Sequence, residues 1–430
     1  MKEHIKGQIG EEIVNKIANL TFFNYWCYPS PEDENGNSKE ICDLLIIFKD
    51  VVFIISVKNY EFKGNYERYF NKTLKKAISQ VSGAERKLFK SNRKITFTHP
   101  NNGKFTFDPI EYNHVYRIIV NHSNFPCFYP GTAYTKMNKI IHIFNWEAFY
   151  KTLKELDTVS DLISYIVDRS NLFYEKKVLI LNGADDNWNM DTGKQLDEYM
   201  NKHIDDKSTL SMIAGTELDI LSVYLSNQRS FPFNLNDSEV NAYFYDLEGE
   251  WKDYIQRVEV ERKKEADTIS YVIDEFIERD ILYYNDEQRR SIASEILSLT
   301  RYERRLLGLQ FNKFLKKHFK CANFNMARSF GTYGKVVIGF FIHGNGIDIE
   351  RCMQFMSIAT QGYAYYEGYK SEKIILIGTN ATLTEWKFAF DPSVKKPSPK
   401  EEEDLVHNLG VLGWFTNIKK SKIESDEYPN

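Results

Sequence analysis

Three polar side chains flank two short apolar runs near the start of the sequence. Asp43 comes directly before the run 44–48, and Ser56 and Lys58 lie at the end of the run 51–57. The runs are rich in Ile, Val and Phe and are separated by two residues, which predicts a β-hairpin. A two-residue turn places Asp43 opposite Ser56, with Cβ atoms about 5 Å apart, and Lys58 two places along on the same face. A carboxylate, a hydroxyl and an ammonium group are therefore expected to meet at one end of a buried hairpin, where an unpaired charge would be costly.

Helices and further strands surround this hairpin in the sequence. Apolar residues recur at helical spacing over 4–20 and again over 72–90. Two later runs, 116–120 and 140–144, are typical of strands, and a long helical pattern covers 146–171. The sequence therefore predicts a first domain of α/β class in which helix, hairpin, helix and strand follow one another.

This order of elements resembles the PD-(D/E)xK nuclease superfamily, which includes type II restriction enzymes, Mrr-like enzymes and archaeal Holliday-junction resolvases. The segment 7–14, Gly-Gln-Ile-Gly-Glu-Glu-Ile-Val, is similar to the Gly-x-x-Gly-Glu-x-x-Ala opening of that family. The resemblance implies a restriction-endonuclease-like domain with a mixed sheet flanked by helices. It also implies that Asp43 and a helix acid, Glu11 or as second choice Glu12, hold one or two divalent metal ions. Lys58 would position or polarise the attacking water.

Position 56 departs from the family pattern, because the family has an acid there and this chain has Ser56. Serine ligates a hard cation weakly or holds a coordinated water, and Glu61 and Glu85 are candidates to supply the missing carboxylate. An oxygen-rich site with one to three carboxylates suits Mg²⁺ or Mn²⁺. The resemblance also implies that Gln80, on the second helix, lies near the active site. The alternatives are an inactive site, or polar residues that only terminate their strands.

The charge pattern supports a polyanion partner for one part of the chain only. The protein has a net charge of −4, with 56 Lys and Arg against 60 Asp and Glu, so bulk charge would not hold a polyanion. Residues 63–94 nevertheless carry ten basic and two acidic side chains, a local balance of +8. Phosphate contacts from such a face would position a nucleic-acid strand. The expected contacts are Lys72, Lys75, Lys76, Arg86 and Lys87.

The pattern beyond the first domain, residues 1–170, indicates three further regions. Residues 171–325 are predicted to be mainly helical, 326–395 to form a small α/β module with strand–helix–strand order, and 396–430 to be a linker and tail. The helical region contains a second basic cluster, which could bind nucleic acid but is more typical of a solvated helix face. Its members are Arg301, Arg304, Arg305, Lys313, Lys316 and Lys317.

Cysteine spacing and hydropathy indicate in which cellular compartment the protein is expected. The 5 cysteines are widely spaced and contain no Cys-x-x-Cys pair, which predicts reduced packing residues in a cytoplasmic protein. The sequence has neither a signal peptide nor a stretch approaching the ~18 apolar residues that span a bilayer. We therefore expect a cytoplasmic protein with no membrane partner.

Together these features predict a cytoplasmic, metal-dependent nuclease that hydrolyses phosphodiester bonds, with DNA as the favoured substrate. The regions after residue 170 would serve target recognition, homo-oligomerisation or docking of a partner protein. A nuclease domain joined to a helical sensor looks like effectors of bacterial anti-phage defence or restriction, which is an analogy at the level of the fold. The alternative functions are a catalytically inactive DNA-binding or scaffold protein, and an assembly protein that neither binds nor cuts nucleic acid.

Overall fold

The computed structural model describes most of the chain and divides it into two compact units, 1–260 and 261–430. Both units mix helices with strands, which confirms the predicted α/β class. The described residues are 16, 25–36, 39–60, 62–90, 93–122, 127–182, 188–203, 209–232, 242–284, 286–319, 322, 325–420 and 425–429.

The first unit contains a six-stranded mixed sheet and a four-stranded sheet. The order of the six-stranded sheet is β1-β2-β3-β6-β9-β8, and that of the four-stranded sheet is β12-β11-β10-β7. The strands are β1 (Cys27–Pro29), β2 (Leu44–Phe48), β3 (Val51–Asn59), β4 (Ile95–His99), β5 (Gly103–Phe107), β6 (His114–His122), β7 (Phe128–Pro130), β8 (Thr132–Tyr134), β9 (Ile140–Asn145), β10 (Lys176–Leu181), β11 (Thr209–Ala214) and β12 (Ala242–Asp246). The helices are α1 (Lys75–Phe89), α2 (Trp146–Glu155), α3 (Val159–Leu172), α4 (Met190–His203), α5 (Glu217–Ser226), α6 (Glu250–Ile255) and α7 (Val258–Phe276), the last of which continues into the second unit.

The predicted hairpin is present in the predicted register. β2 and β3 pair antiparallel with Phe48 opposite Val51 and Leu44 opposite Ile55, so the next pair is Asp43 and Ser56. Lys49 in the turn has φ 53, the left-handed conformation that two-residue hairpin turns use. All five β2 residues and the first seven of β3 are buried. The pattern of apolar residues thus determines which side chains of β2 and β3 lie opposite each other.

Parallel pairing extends the hairpin into the centre of the sheet. β3 pairs parallel with β6, and β6 pairs parallel with β9, so the carboxyl ends of the three strands lie at one sheet edge. The connection from β3 runs through a helical turn (Tyr66–Arg68), a π-helical segment (Tyr69–Leu74) and α1. The inner face of α1 is buried through Ala77, Val81, Ala84 and Leu88. These side chains belong to the apolar core that includes Ile54 of β3 and Ile119 of β6.

Residues 171–260 differ from the prediction of a mainly helical region. β10, β11 and β12 form a parallel sheet, and β7 of the preceding segment pairs antiparallel with β10. Within the region 171–325 that the sequence predicted to be mainly helical, residues 209–214 form the strand β11. Because β7 and β10 share a ladder, residues 1–170 and 171–260 form one compact unit, whereas the sequence indicated a boundary near 170.

The second unit has a four-stranded sheet with order β13-β14-β15-β16. β14 and β15 are parallel and joined by α10, which agrees with the predicted strand–helix–strand module. The segment predicted as linker and tail contains α11, whose start is set by a capping box between Ser398 and Glu401. The elements are α8 (Glu287–Leu297), α9 (Arg301–His318), β13 (Met326–Tyr333), β14 (Val336–His343), α10 (Ile349–Tyr366), β15 (Lys373–Asn380), β16 (Trp386–Asp391) and α11 (Pro399–Leu412). Among the helices that the structure describes, none has the length and apolar character needed to cross a lipid bilayer.

Candidate active site

Asp43 is the centre of a polar cluster at the open end of the hairpin. Its Oδ2 accepts hydrogen bonds from the Ser56 hydroxyl at 2.9 Å and from the Val57 backbone N–H at 2.7 Å. The Lys58 Nζ lies 3.3 Å from the same oxygen. The cross-strand pairing of position 43 with position 56 therefore brings the three predicted side chains together. The three donors all point at one oxygen of the carboxylate, so Oδ1 takes none of these bonds.

Lys58 is held in place rather than extended into solvent. Its Nζ also donates to the Val57 carbonyl at 3.1 Å. The Lys58 side chain is 16% exposed and the Asp43 side chain 30% exposed, so both are shielded but reachable from solvent. A partly buried ion pair of this kind is less screened by salt than one on the open surface. The arrangement presents one carboxylate and one ammonium group at the carboxyl end of β3.

Asn121, which the sequence analysis did not single out, lies beside Lys58. It pairs with Lys58 in the parallel ladder of β3 and β6, and it is 1% exposed. Its Nδ2 donates to the hydroxyl of Tyr69 at 2.6 Å. Tyr69 belongs to the π-helical segment, and burial raises the pKa of its hydroxyl. Carboxyl ends of parallel strands are where open α/β sheets bind ligands, and predicting Asn121 there would have required knowledge of the strand order.

Glu40 is a second residue that sequence reasoning missed. Partial burial of its carboxylate and the nearby negative charge of Asp43 raise the pKa of Glu40, while the Ser30 hydroxyl and the charge of Lys58 oppose that rise. The loop before β2 is pinned, since the Ser30 N–H donates to the Asp43 carbonyl at 3.0 Å and residue 40 forms a β-bridge with Glu32. Two carboxylates, Asp43 and Glu40, thus lie close enough to repel each other. The only sequence signal was an acid three residues before Asp43.

Glu85, a candidate for the missing carboxylate, is bound by two cations in the structure. It is 5% exposed and accepts from Arg117 Nε at 2.6 Å and from Lys139 Nζ at 2.8 Å. Burial disfavours the charged form of Glu85, but the bonds to Arg117 and Lys139 outweigh it and lower the pKa. Glu85 is therefore committed to an ion-pair network between α1, β6 and the residue before β9. Glu11, Glu12 and Glu61 lie outside the described residues.

Gln80 and most of the predicted nucleic-acid contacts lie on the outer face of α1 and the segment before it. Gln80, Lys72, Lys75, Lys76 and Arg86 are exposed. No hydrogen bond joins Gln80 to the described side chains of Asp43, Ser56 or Lys58. Lys87 is half-buried and donates to the Lys39 carbonyl at 2.5 Å, in the loop that carries Glu40. Exposed cations thus cover this face.

The second basic cluster is only in part a solvated helix face. Arg301, Arg304 and Arg305 are between 0% and 4% exposed. Arg301 and Arg304 donate to the two oxygens of Asp274 at 2.7 Å and 2.8 Å, and Arg305 lies 3.3 Å from Asp267. These three arginines are therefore internal to the second unit and are not presented to a ligand.

In the part of the chain that the structure describes, no group of three or more His, Cys, Asp or Glu side chains is placed to hold a metal ion. The chain matches no protein-family model, no curated protein and no solved structure.

Proposed function

We propose that the chain is a metal-dependent nuclease that hydrolyses phosphodiester bonds of nucleic acid, with DNA as the favoured substrate. The observation that carries the proposal is the convergence of Ser56, the Val57 N–H and Lys58 on one oxygen of Asp43. This geometry agrees with the order of acid, apolar hairpin and lysine that resembles PD-(D/E)xK nucleases. By analogy at the level of the fold, the proposal includes an effector role in anti-phage defence.

In this proposal two carboxylates of the described residues would hold a hard cation. Asp43 and Glu40 would hold Mg²⁺ or Mn²⁺, whose ligands in proteins are oxygen atoms. The mutual repulsion that contributes to the raised pKa of Glu40 is what a bound cation would relieve. A helix acid, Glu11 or Glu12, would add a ligand from outside the described residues. When bound, such an ion lowers the pKa of its water and neutralises charge on the scissile phosphate.

The other two side chains of the cluster have separate roles in this proposal. Ser56 holds the Asp43 carboxylate in orientation through its hydroxyl, at 2.9 Å. Lys58 places a fixed positive charge at the carboxyl end of β3, where it would stabilise negative charge that develops on a phosphate oxygen. The exposed cations of α1 would contact the phosphates of the bound strand.

The experiment is a cleavage assay with plasmid, short duplex, single-stranded DNA and RNA, each with Mg²⁺, Mn²⁺ or EDTA. We expect metal-dependent cutting that Asp43→Asn and Lys58→Met abolish. Asp50→Asn, an acid at the other end of the same hairpin, and Lys136→Met, an exposed lysine of the same unit, serve as matched controls. Activity that survives Asp43→Asn would contradict the assigned site.

One observation favours a catalytically inactive, nucleic-acid-binding protein as the second candidate. Ser56 stands where the resembled family has an acid, and Lys58 already pairs with Asp43. Such a protein would bind DNA with an affinity that falls steeply with salt but would not cut it in any metal. The same panel of substrates, read by a gel shift in EDTA and by cleavage in metal, separates the two functions.

A further inference from the structure

Arg328 of the second unit lies against two aromatic rings. It is on β13, an edge strand, and its guanidinium carbon is 4.0 Å from the centre of the Trp414 ring and 5.1 Å from that of Phe415. Both rings follow α11 in a turn where Gly413 has φ 64 and Phe415 has φ 61. A left-handed conformation is costly for a bulky residue such as Phe415. The turn therefore holds the rings against Arg328 at the expense of local strain.

Arg328 has no acidic partner in the described chain. Among the described residues no carboxylate pairs with Arg328 and no carbonyl accepts a hydrogen bond from it. By contrast, Arg301 and Arg304 of the same unit both pair with Asp274, and Arg304 also donates to the Leu297 carbonyl. Burial lowers the pKa of Arg328 to about 10, so it is still charged at neutral pH. A half-buried charge without a counter-ion is costly, and an anion from outside the chain would offset that cost.

One exposed ring, that of Tyr366, and a second cation continue the same surface. Tyr366 of α10 is 40% exposed and stacks on Phe415, with ring centres 6.1 Å apart and planes 23° apart. Lys420 Nζ lies 5.7 Å above the Tyr366 ring. The nearby acid Glu367 accepts a hydrogen bond from the Ser371 N–H at 3.1 Å. We call Arg328, Phe415, Tyr366 and Lys420 the Arg328 patch, in which two stacked rings lie between two cations.

We propose that the Arg328 patch binds single-stranded nucleic acid. Arg328 and Lys420 would contact phosphates, and a base would stack on the exposed part of Tyr366, which is the combination that single-strand-binding surfaces use. A duplex keeps its bases stacked on one another and offers no base face to this ring. An acidic peptide would satisfy the cations but leave the ring unused. The proposal does not require cleavage at Asp43, so the two can fail separately.

The test measures the affinity of the full-length protein for a fluorescent single strand about 12 nucleotides long, in EDTA, by anisotropy. Arg328→Lys keeps the charge but loses the planar contact with the rings, and Tyr366→Ala removes an exposed ring. We expect Tyr366→Ala to weaken binding about 5- to 150-fold, since stacking contributes ~1–3 kcal/mol per base. Arg328→Lys should weaken binding by a smaller factor, because the positive charge is kept. Arg351→Lys and Tyr283→Ala are matched controls, because Arg351 and Tyr283 are 71% and 78% exposed in the same unit.

Photo-cross-linking shows independently where the single-stranded nucleic acid binds. A strand that contains 5-iododeoxyuridine should cross-link to the peptide that carries Tyr366 or to the one that carries Phe415. The same affinity is expected in Asp50→Asn, a substitution in the other unit and away from the cluster around Asp43. Equal binding by Arg328→Lys, Tyr366→Ala and wild type would overturn the proposal. So would a preference for duplex, or competition by a mononucleotide as strong as that by the strand.

Discussion

Ser56 decides how much negative charge the hairpin presents. Opposite Asp43, its hydroxyl donates a hydrogen bond where a second carboxylate would repel, and Lys58 balances the one charge that remains. The cluster of Asp43, Ser56 and Lys58 is thus neutral as it stands. Glu40 is the described residue that adds a further negative charge beside it.

Replacement of Ser56 with Asp should therefore change how the fold responds to metal. Without metal, Ser56→Asp loses a bond to Asp43 and adds like-charge repulsion, so the melting temperature should fall. With Mn²⁺ bound, the added carboxylate becomes a ligand, so the rise in melting temperature on adding Mn²⁺ should exceed that of wild type. Differential scanning fluorimetry with and without Mn²⁺ measures both effects. Ser79→Asp, on the exposed face of α1, is the control; an equal metal response in both variants would place position 56 away from the ion.

At the scale of elements, the hairpin could be predicted and the groups around it could not. A two-residue turn between apolar runs permits one register, so Asp43, Ser56 and Lys58 followed from spacing alone. Asn121 lies 63 positions after Lys58 in sequence, and only the parallel pairing of β3 with β6 brings them together. The short apolar run 209–214 is a strand that periodicity does not distinguish from a buried helix. The sequence around a buried arginine such as Arg304 does not differ from that around an exposed one, and only the position of its partner Asp274 shows that it is buried.

The network of Glu85, Arg117 and Lys139 joins α1 to the sheet and should act on stability alone. Glu85→Gln would leave the Arg117 guanidinium, whose side chain is 7% exposed, without its carboxylate. Breaking a buried pair from one side costs about 3–5 kcal/mol. Chemical denaturation should show that loss, while the rise in melting temperature on adding Mn²⁺ stays that of wild type. A lost metal response would return Glu85 to the metal site.

A second network, between α3, α5 and β9, should make stability depend on pH. His142 Nδ1 accepts from Arg169 at 2.6 Å, and Arg169 also donates to Glu217 at 2.7 Å; all three side chains are buried. Burial, Arg169 and Arg117 hold the pKa of His142 well below its usual value. The folded protein therefore keeps His142 neutral where the unfolded chain would protonate it.

Proton binding to His142 determines whether stability rises or falls with pH. Below the ordinary His pKa of about 6.5 the unfolded chain binds a proton that the folded state excludes, so stability is complete above that pH and falls as the pH drops. We expect the free energy of unfolding to decrease by up to about 1.4 kcal/mol per pH unit from this residue. His142→Asn, which keeps an acceptor for Arg169, should flatten that dependence between pH 7 and pH 5. A parallel slope in both proteins would mean that another group dominates.

At the scale of the whole chain, the first compact unit extends to residue 260, whereas the sequence predicted a first domain that ends at residue 170. β7 pairs with β10 through residues such as Tyr129 and Ile180, and Arg169 of α3 bonds to Glu217 of α5. A piece that stops at residue 170 would leave this strand without a partner and this arginine without its carboxylate.

We therefore expect fragment 1–260 to unfold cooperatively and fragment 1–170 to lack a cooperative transition. Thermal unfolding followed by near-ultraviolet circular dichroism measures this directly, because loss of fixed aromatic packing removes the signal. Fragment 1–170 also lacks Trp188 and Tyr199, whose ring centres each lie 6.4 Å from that of Phe128. A well-folded fragment 1–170 would mean that the boundary near 170 is correct after all.

Because all three donors bind Oδ2, the two oxygen atoms of the Asp43 carboxylate have different roles. Oδ2 ties the two strands of the hairpin together, and Oδ1, which takes none of these three bonds, is the atom that would face a metal ion in the proposed site. An amide side chain at this position has one oxygen only, and the three donors oblige that oxygen to face inward. The outward group of the amide is then an NH₂, which rejects cations. Asp43→Asn should thus preserve the hairpin while inverting the polarity of its outer side, which is why it separates fold from chemistry better than a truncation to alanine.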